Sequence, residues 1–193
     1  MPFIAPEEWR DGELLLRSYR PGDGAELHRA TQSSQRHLRP WMPWASPDTT
    51  VEDSETFVRR ARARWLLGEE WTVSVWRGDR LVGSSGFMLR GRPLEDGTAE
   101  IGMWVRADEA GQGLGTRVLQ AMVDWAGAAW PFRKLTWLCE GRNHASARVA
   151  EKCGFRLEGR LREHAPSVAD PAFRDTVLAY GLLPSDPRPW RAP

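Results

Sequence analysis

A glycine-rich segment near the middle of the chain is the part of the sequence best suited to chemistry. It carries glycine at alternate positions, Gly111, Gly113 and Gly115, between a predicted strand and a predicted helix. Without Cβ atoms the backbone can approach a ligand closely and point several N–H groups in one direction. The helix adds the positive end of its dipole. The segment therefore predicts a phosphate or pyrophosphate site, with an ordinary glycine-rich turn as the alternative.

Two common phosphate-binding motifs do not match this segment. A P-loop ends in Gly-Lys-Ser/Thr, whereas Gly115 is followed by Thr116 and Arg117. The dinucleotide fingerprint needs a third glycine at the position of Thr116. It also follows a parallel strand, whereas the strand predicted here ends an antiparallel set. The glycine loop therefore has to be interpreted together with the rest of the chain.

A second polar segment follows the glycine loop after about 30 residues and one strand. It runs from Asn143 to Phe155 and is predicted to form a short helix that stops at Gly154. Asn143, Ser146 and Ala150 share a helical face through their i, i+3, i+7 spacing. Ser146 can therefore face a ligand or solvent, and Asn143 can contact a ligand or cap the helix.

The elements that position these segments alternate between short apolar strands and amphipathic helices. We predict strands over 13–17, 71–76, 81–88, 99–105, 135–139, 155–162 and 173–182, and helices over 23–32, 51–67, 116–129 and 143–152. This order predicts an α/β (α+β) fold, with a mixed, mostly antiparallel central sheet of about seven strands and helices on both faces. Residues 1–183 are predicted to form a single domain, and residues 184–193 a proline-rich tail.

Composition excludes several classes of protein. Hydrophobic residues make up 41% and charged residues 27%, which is typical of a globular domain. The net charge of +1 gives no general attraction for nucleic acid. No apolar run approaches the roughly 20 residues of a membrane span, and the N-terminus lacks the pattern of a secretion signal. Cys139 and Cys153 lie in apolar contexts, which favours buried thiols and a cytoplasmic location. No metal site is predicted.

Taken together, the two polar segments resemble the GNAT superfamily of acyl-CoA-dependent N-acetyltransferases. Their order and spacing carry the resemblance, which covers about residues 12–183. Within the superfamily the chain is most similar to the RimJ/RimL-type ribosomal-protein N-terminal acetyltransferases. That similarity rests on residues 99–104, Ser146, residues 154–159, residues 173–175 with Tyr180, and the loop from Trp41 to Trp44.

The resemblance implies acetyl-CoA as cofactor and a set of binding residues. The backbone of the glycine loop would hold the pyrophosphate, and the strand end before it would pair with the pantetheine amides. Asn143 and Ser146 would contact the cofactor from the second helix. The implied cofactor-binding residues are Met103, Trp104, Val105, Gly111, Gln112, Gly113, Leu114, Gly115, Thr116, Asn143 and Ser146.

The resemblance also implies catalytic roles, with two departures from the family pattern. Many members carry Arg or Gln at Ala110, and many carry a Tyr at Ala150 that protonates the leaving thiolate. As in the RimJ/RimL-type enzymes, Ser146 would donate to the thiolate instead. Glu100 is the first candidate for the base, with a structural carboxylate as the alternative.

The loop between the last two strands and the early tryptophan loop are expected on the acceptor side. Glu163 and His164 form the second candidate for the base, although the match to the family around 165–169 is poor. Trp41 and Trp44 would line the acceptor site, or simply pack the long loop.

The implied activity is transfer of an acetyl group to an amine, and a protein N-terminal α-amine is the leading acceptor. An α-amine with a pKa of about 8 is partly neutral at pH 7, whereas a lysine at about 10.4 is not. A small-molecule amine such as an antibiotic or polyamine is the alternative acceptor, and a non-catalytic acyl-CoA-binding module is the alternative function. The chain is expected to be a monomer or a homodimer, without nucleic-acid or membrane partners.

Overall fold

The computed structural model describes residues 3–191 and has eight strands and five α-helices within that range. The strands are β1 (Glu8–Asp11), β2 (Leu14–Ser18), β3 (Trp71–Arg77), β4 (Arg80–Met88), β5 (Thr98–Val105), β6 (Lys134–Glu140), β7 (Arg156–Pro166) and β8 (Arg174–Leu182). The helices are α1 (Gly24–Gln32), α2 (Gln35–Leu38), α3 (Val51–Leu67), α4 (Leu114–Ala129) and α5 (His144–Lys152). Two 3₁₀ turns cover Leu94–Asp96 and Ala107–Glu109.

The strands form one sheet in the order β1-β2-β3-β4-β5-β6-β8-β7, and all neighbours are antiparallel except β5 and β6. The predicted mixed, mostly antiparallel sheet is confirmed, but it has eight strands instead of seven. The additional strand is β1, whose four residues include three charged ones and show no apolar alternation. It forms because the chain turns at Gly12, which has a φ of +56°, and returns as β2.

Helices cover both faces of the sheet, as predicted. Leu14 and Leu16 of β2 belong to the larger of two apolar cores, whereas Leu15 between them packs against the smaller one. Since successive side chains of a strand point to opposite faces, the two cores lie on opposite sides of the sheet. α4 and α5 contribute to the larger core, and α1 and α3 to the smaller.

Tryptophans account for much of this packing. The five that were predicted in helices and strands are all buried: Trp65, Trp71, Trp76, Trp125 and Trp137. Trp130 joins Trp71 and Trp125 at ring-centroid distances of 5.1 and 5.6 Å, within the range of favourable aromatic contacts. The larger core is therefore rigid beneath α4, the helix that follows the glycine loop.

Local signals set the ends of the longest helix and the course of the tail. Thr50 and Asp53 form a reciprocal capping box at the start of α3, and Gly68, with a φ of +72°, ends it. Residues 184–191 form no helix or strand, yet Trp190 Nε1 donates to Asp124 Oδ2 of α4 at 3.1 Å. Arg191 Nε donates to Oδ1 of the same carboxylate at 2.9 Å. Among residues 3–191, no helix is both long and apolar enough to cross a membrane.

Candidate active site

The sheet opens between β5 and β6. These parallel strands pair only over three residues each, ending at Glu100 opposite Thr136. Beyond that point β5 continues to Val105 paired only with β4, so its other edge faces the opening. An unpaired strand edge offers N–H and C=O groups to a ligand. The predicted pantetheine strand, Met103–Val105, lies at this edge.

The glycine loop lies at the end of this opening and is shaped for an anion. Gly111 and Gly113 have φ values of +76° and +87°, and nothing lies within 4 Å of where their Cβ atoms would be. Within residues 3–191, the backbone N–H groups of residues 111–116 donate to no protein acceptor. The first bonded donor is Arg117 N, which reaches the Gly113 carbonyl at 3.1 Å. Six free donors at the N-terminus of a 16-residue helix fit a pyrophosphate.

A buried carboxylate that sequence reasoning missed holds the entry to this loop. Glu109, whose side chain is only 7% exposed, accepts from Arg77 Nη1 and Arg80 Nη1 at 2.9 Å each. Both arginines belong to the β3–β4 hairpin, so the hairpin and the glycine loop are tied together. The signal in the sequence was weak, because nothing distinguishes Glu109 from the exposed Asp108 beside it.

Removing this charge is expected to loosen the loop. Glu109→Gln should lower the free energy of unfolding by about 1–3 kcal/mol, a range reduced because both arginines are partly exposed. For a chain of this size the melting temperature should fall by roughly 3–9 °C. Asp108→Asn is the matched control, because its exposed ion pairs are worth about 0–1 kcal/mol. Equal melting curves for the two variants would contradict the anchoring role.

Helix α5 brings Asn143 and Ser146 to the opening. Asn143 Oδ1 accepts from Ser146 N at 3.0 Å, so the capping interpretation of Asn143 is confirmed, and contact with a cofactor stays a prediction. The Ser146 hydroxyl accepts from Trp137 Nε1 at 3.0 Å and lines the cleft. This bond uses a lone pair of the oxygen, so the hydroxyl can still donate its proton, as it does toward the neighbouring Cys139 sulfur. Ala150, where many relatives carry a tyrosine, is completely buried.

Two other side chains near Ser146 are unsuited to nucleophilic or acid catalysis. Burial raises the pKa of the Cys139 thiol, which therefore stays protonated and is a poor nucleophile. Burial and a hydrogen bond to Glu151 raise the pKa of Tyr180 to about 12. Both observations favour Ser146 as the donor at this position.

The residues predicted to line the acceptor site lie on the face of the sheet opposite the larger core. Trp104 of β5 contacts Trp44 with ring centroids 5.9 Å apart, and Trp44 is still 48% exposed. Trp41 lines the same cleft. Glu100 also lines it, and its Oε1 accepts from Arg90 Nη2 at 2.5 Å. The structure thus brings Trp41, Trp44 and Glu100 together, as predicted for an acceptor site.

The β7–β8 loop contributes one of its two predicted residues to the cleft. The pairing register shifts between Leu161 and Ala165, and Glu163 within this bulge has a φ of +51°. Glu163 points outward, is exposed and does not line the cleft, whereas His164 does. Because of the bulge, side chains in this part of β7 do not simply alternate between the two faces of the sheet. Alternation along the sequence therefore does not tell which of Glu163 and His164 enters the cleft.

These residues surround one continuous cleft of about 1560 Å³ that reaches from the glycine loop to the predicted acceptor site. It exceeds the roughly 300–1,000 Å³ of a typical small-ligand pocket. It can hold a long phosphate-bearing cofactor along β5 and leave room for a second substrate. Of the predicted loop residues, Gln112 and Leu114 turn their side chains elsewhere: Gln112 Nε2 donates to the Asp108 carbonyl, and Leu114 is buried in the larger core.

Comparison with known proteins agrees with this geometry. Residues 13–156 match a family model described as an acetyltransferase (GNAT) domain. The chain is 35% identical over 182 residues to the ribosomal-protein-serine acetyltransferase of Escherichia coli K12, covering 89% of this chain and 99% of that protein.

Solved structures with the same fold are more distant in sequence. RimL, a ribosomal L7/L12 α-N-protein acetyltransferase in complex with coenzyme A, is 21% identical with a TM-score of 0.82, covering 92% of this chain and 98% of that chain. Mycobacterium smegmatis RimJ in complex with a CoA disulfide is 22% identical with a TM-score of 0.75, covering 89% and 82%.

Proposed function

The chain belongs to the GNAT acetyltransferase family, and from this premise we propose that it acetylates the N-terminal α-amine of a protein. The activity common to the family, acetyl transfer from acetyl-CoA, is that of this chain. The observation that carries the proposed acceptor is the match over nearly the whole length of a ribosomal-protein-serine acetyltransferase. A peptide that begins with serine is therefore the first acceptor to test.

In this proposal the two substrates bind on opposite faces of the sheet. Bound acetyl-CoA supplies the thioester. We assign its pyrophosphate to the free N–H groups of residues 111–116, its pantetheine arm to the edge of β5, and Asn143 to the same arm. Ser146 donates a proton to the departing sulfur. Trp41 and Trp44 wall the acceptor site, with Glu100 and His164 at its rim.

Acceptor chemistry also favours an α-amine. Making an α-amine neutral at pH 7 costs roughly 1.4 kcal/mol, whereas a lysine costs nearer 4.6 kcal/mol. On the acceptor face of the sheet, the Glu100 carboxylate is paired with Arg90. We place the reaction in the cytoplasm and residues 1–183 in a single catalytic domain; the assembly as monomer or homodimer stays a prediction.

A peptide assay tests the proposed acceptor. An octapeptide with an N-terminal serine and one internal lysine should be acetylated at its α-amine, at a rate roughly 100-fold or more above that at the lysine. The same peptide with a formylated N-terminus is the control and should stay almost unmodified. Mass spectrometry of fragments locates the acetyl group. Preferential acetylation of the lysine, or of small amines alone, would contradict the proposal.

A further inference from the structure

Glu140, the last residue of β6, places a second carboxylate in the acceptor cleft. Leu135, Trp137 and Cys139 of the same strand belong to the larger core, so Glu140 lies on the opposite face, as Glu100 does. Its side chain is 15% exposed and lines the cleft. Within residues 3–191, its Oε2 is buried and accepts no hydrogen bond. A carboxylate oxygen in this position lacks a donor.

The surroundings of Glu140 compensate its charge only in part, through the Val168 backbone N–H and the more distant Arg142. Arg142 is the nearest cation, but it donates to both oxygens of Asp175, at 2.9 Å from Nε and 2.8 Å from Nη2. Its Nη2 lies 3.8 Å from Glu140 Oε2, too far for a hydrogen bond. Asp175 is itself only 3% exposed and is next to Glu140, because β8 pairs Val177 with Glu140.

This arrangement makes Glu140 a good partner for a proton or an ammonium group. Burial, and then the neighbouring Asp175, raise the pKa of Glu140 above its ordinary value, although the Val168 backbone N–H and the Arg142 charge act in the opposite direction. A buried carboxylate oxygen without a hydrogen-bond donor is costly, and an incoming cation or proton relieves that cost.

Other carboxylates of the cleft already have partners. Glu100 accepts from Arg90, and both oxygens of Glu158 accept from Lys134 Nζ, at 2.9 and 2.7 Å. Glu163 is outside the cleft. Among the described residues, Glu140 thus differs from these three in combining a place in the cleft with a buried oxygen that has no donor.

We propose that Glu140 accepts the proton of the acceptor's ammonium group, with Asp175 and Arg142 as positioning residues. This inference rests on the proposed function insofar as the acceptor is an amine. The neutral nitrogen then forms the C–N bond to the thioester carbon, and the C–S bond breaks with its electron pair on sulfur. Of the two protons that the ammonium loses, one passes through Glu140 to water. The other replaces the proton that Ser146 gives to the sulfur.

The test compares acceptors that differ only in whether they carry a proton. One is the serine octapeptide; the other is the same peptide with an N-terminal aminooxy group, which is neutral at pH 7. Glu140→Gln should lower kcat/KM for the serine peptide on the order of 100-fold, and for the aminooxy peptide less than about 5-fold. Glu158→Gln, which alters a paired carboxylate on β7, should change both less than about 2-fold.

The pH profile provides the second readout. For the wild type, kcat with the serine peptide should rise as pH increases through the raised pKa of Glu140, because only the carboxylate accepts a proton. The rise in kcat with pH should be absent in Glu140→Gln and retained in Glu140→Asp. An equal loss for both acceptors with an unchanged profile, at intact acetyl-CoA affinity, would overturn the proposal. If Glu140→Gln does not fold, a pH profile of Glu140→Asp without the rise in kcat would also overturn the proposal.

Failure of the proposed function gives a different pattern. If the wild-type enzyme acetylates small amines but no peptide N-terminus, the peptide acceptor is wrong. The role of Glu140 is then tested with a small amine and its aminooxy analogue. Glu140→Gln should again lower kcat/KM much more for the amine than for the aminooxy compound.

Discussion

Replacing Gly113 by glutamate is expected to weaken acetyl-CoA binding at least about 100-fold, equivalent to roughly 2.7 kcal/mol. Gly113 is the residue before α4 and has a φ of +87°, within the run of six free N–H groups. A glutamate there places a carboxylate among the donors that the pyrophosphate needs, and repels the phosphates as well. Isothermal titration calorimetry with acetyl-CoA measures the change.

Strain has to be separated from the loss of the site. Gly78, in the β3–β4 turn, also has a positive φ of +61° and nothing within 4 Å of its Cβ position. Gly78→Glu therefore carries the same backbone cost, on the order of 1 kcal/mol, at a distance from the cleft. It should bind acetyl-CoA like the wild type. An unchanged affinity in Gly113→Glu would remove the pyrophosphate assignment.

The second large effect is expected from Ser146→Ala, which should lower kcat on the order of 100-fold while the Kd for acetyl-CoA changes less than about 2-fold. Trp137 Nε1 fixes the Ser146 oxygen, and on the proposed placement of acetyl-CoA the hydroxyl supplies its proton to the leaving sulfur. Its removal acts on the chemical step and leaves the loop that holds the phosphates intact.

Pre-steady-state acetyl transfer with the serine peptide measures the step directly. Ser33→Ala is the matched control, because that hydroxyl donates only to the Ala30 carbonyl and does not line the cleft. If Ser146→Ala lost affinity and kcat by the same factor, its role would be structural, and an undiminished kcat would exclude it as the proton donor.

Local features of the sequence helped to predict the parts of the site that depend on backbone conformation. Gly111 and Gly113 adopt positive φ values that other residues rarely adopt, so their spacing indicated either an anion loop or an ordinary turn, and the second polar segment favoured the first. The role of Ser146 was implied by the family resemblance, and helical spacing placed it on the same face as Asn143. Both spacings relate residues a few positions apart, where the geometry is fixed by the chain itself.

The remainder depends on strand pairing that sequence periodicity does not encode. Glu140 and Asp175 are 35 positions apart, and only the register of β6 against β8 brings them together. The outward turn of Glu163 follows from a bulge, which alternation of polar and apolar residues does not reveal. β1 was missed because its stability comes from pairing with β2, and its own side chains are mostly charged.

The divergence of β5 and β6 after Glu100 has a kinetic consequence. On the proposed placement, acetyl-CoA and the acceptor reach the gap between β5 and β6 from opposite faces of the sheet. Neither has to leave before the other arrives, and Cys139, kept as a thiol, does not have to store the acetyl group. Both substrates must then occupy the enzyme together. Double-reciprocal plots of initial rate against acceptor concentration, at several acetyl-CoA concentrations, should therefore intersect, whereas a relay through an acetylated enzyme gives parallel lines.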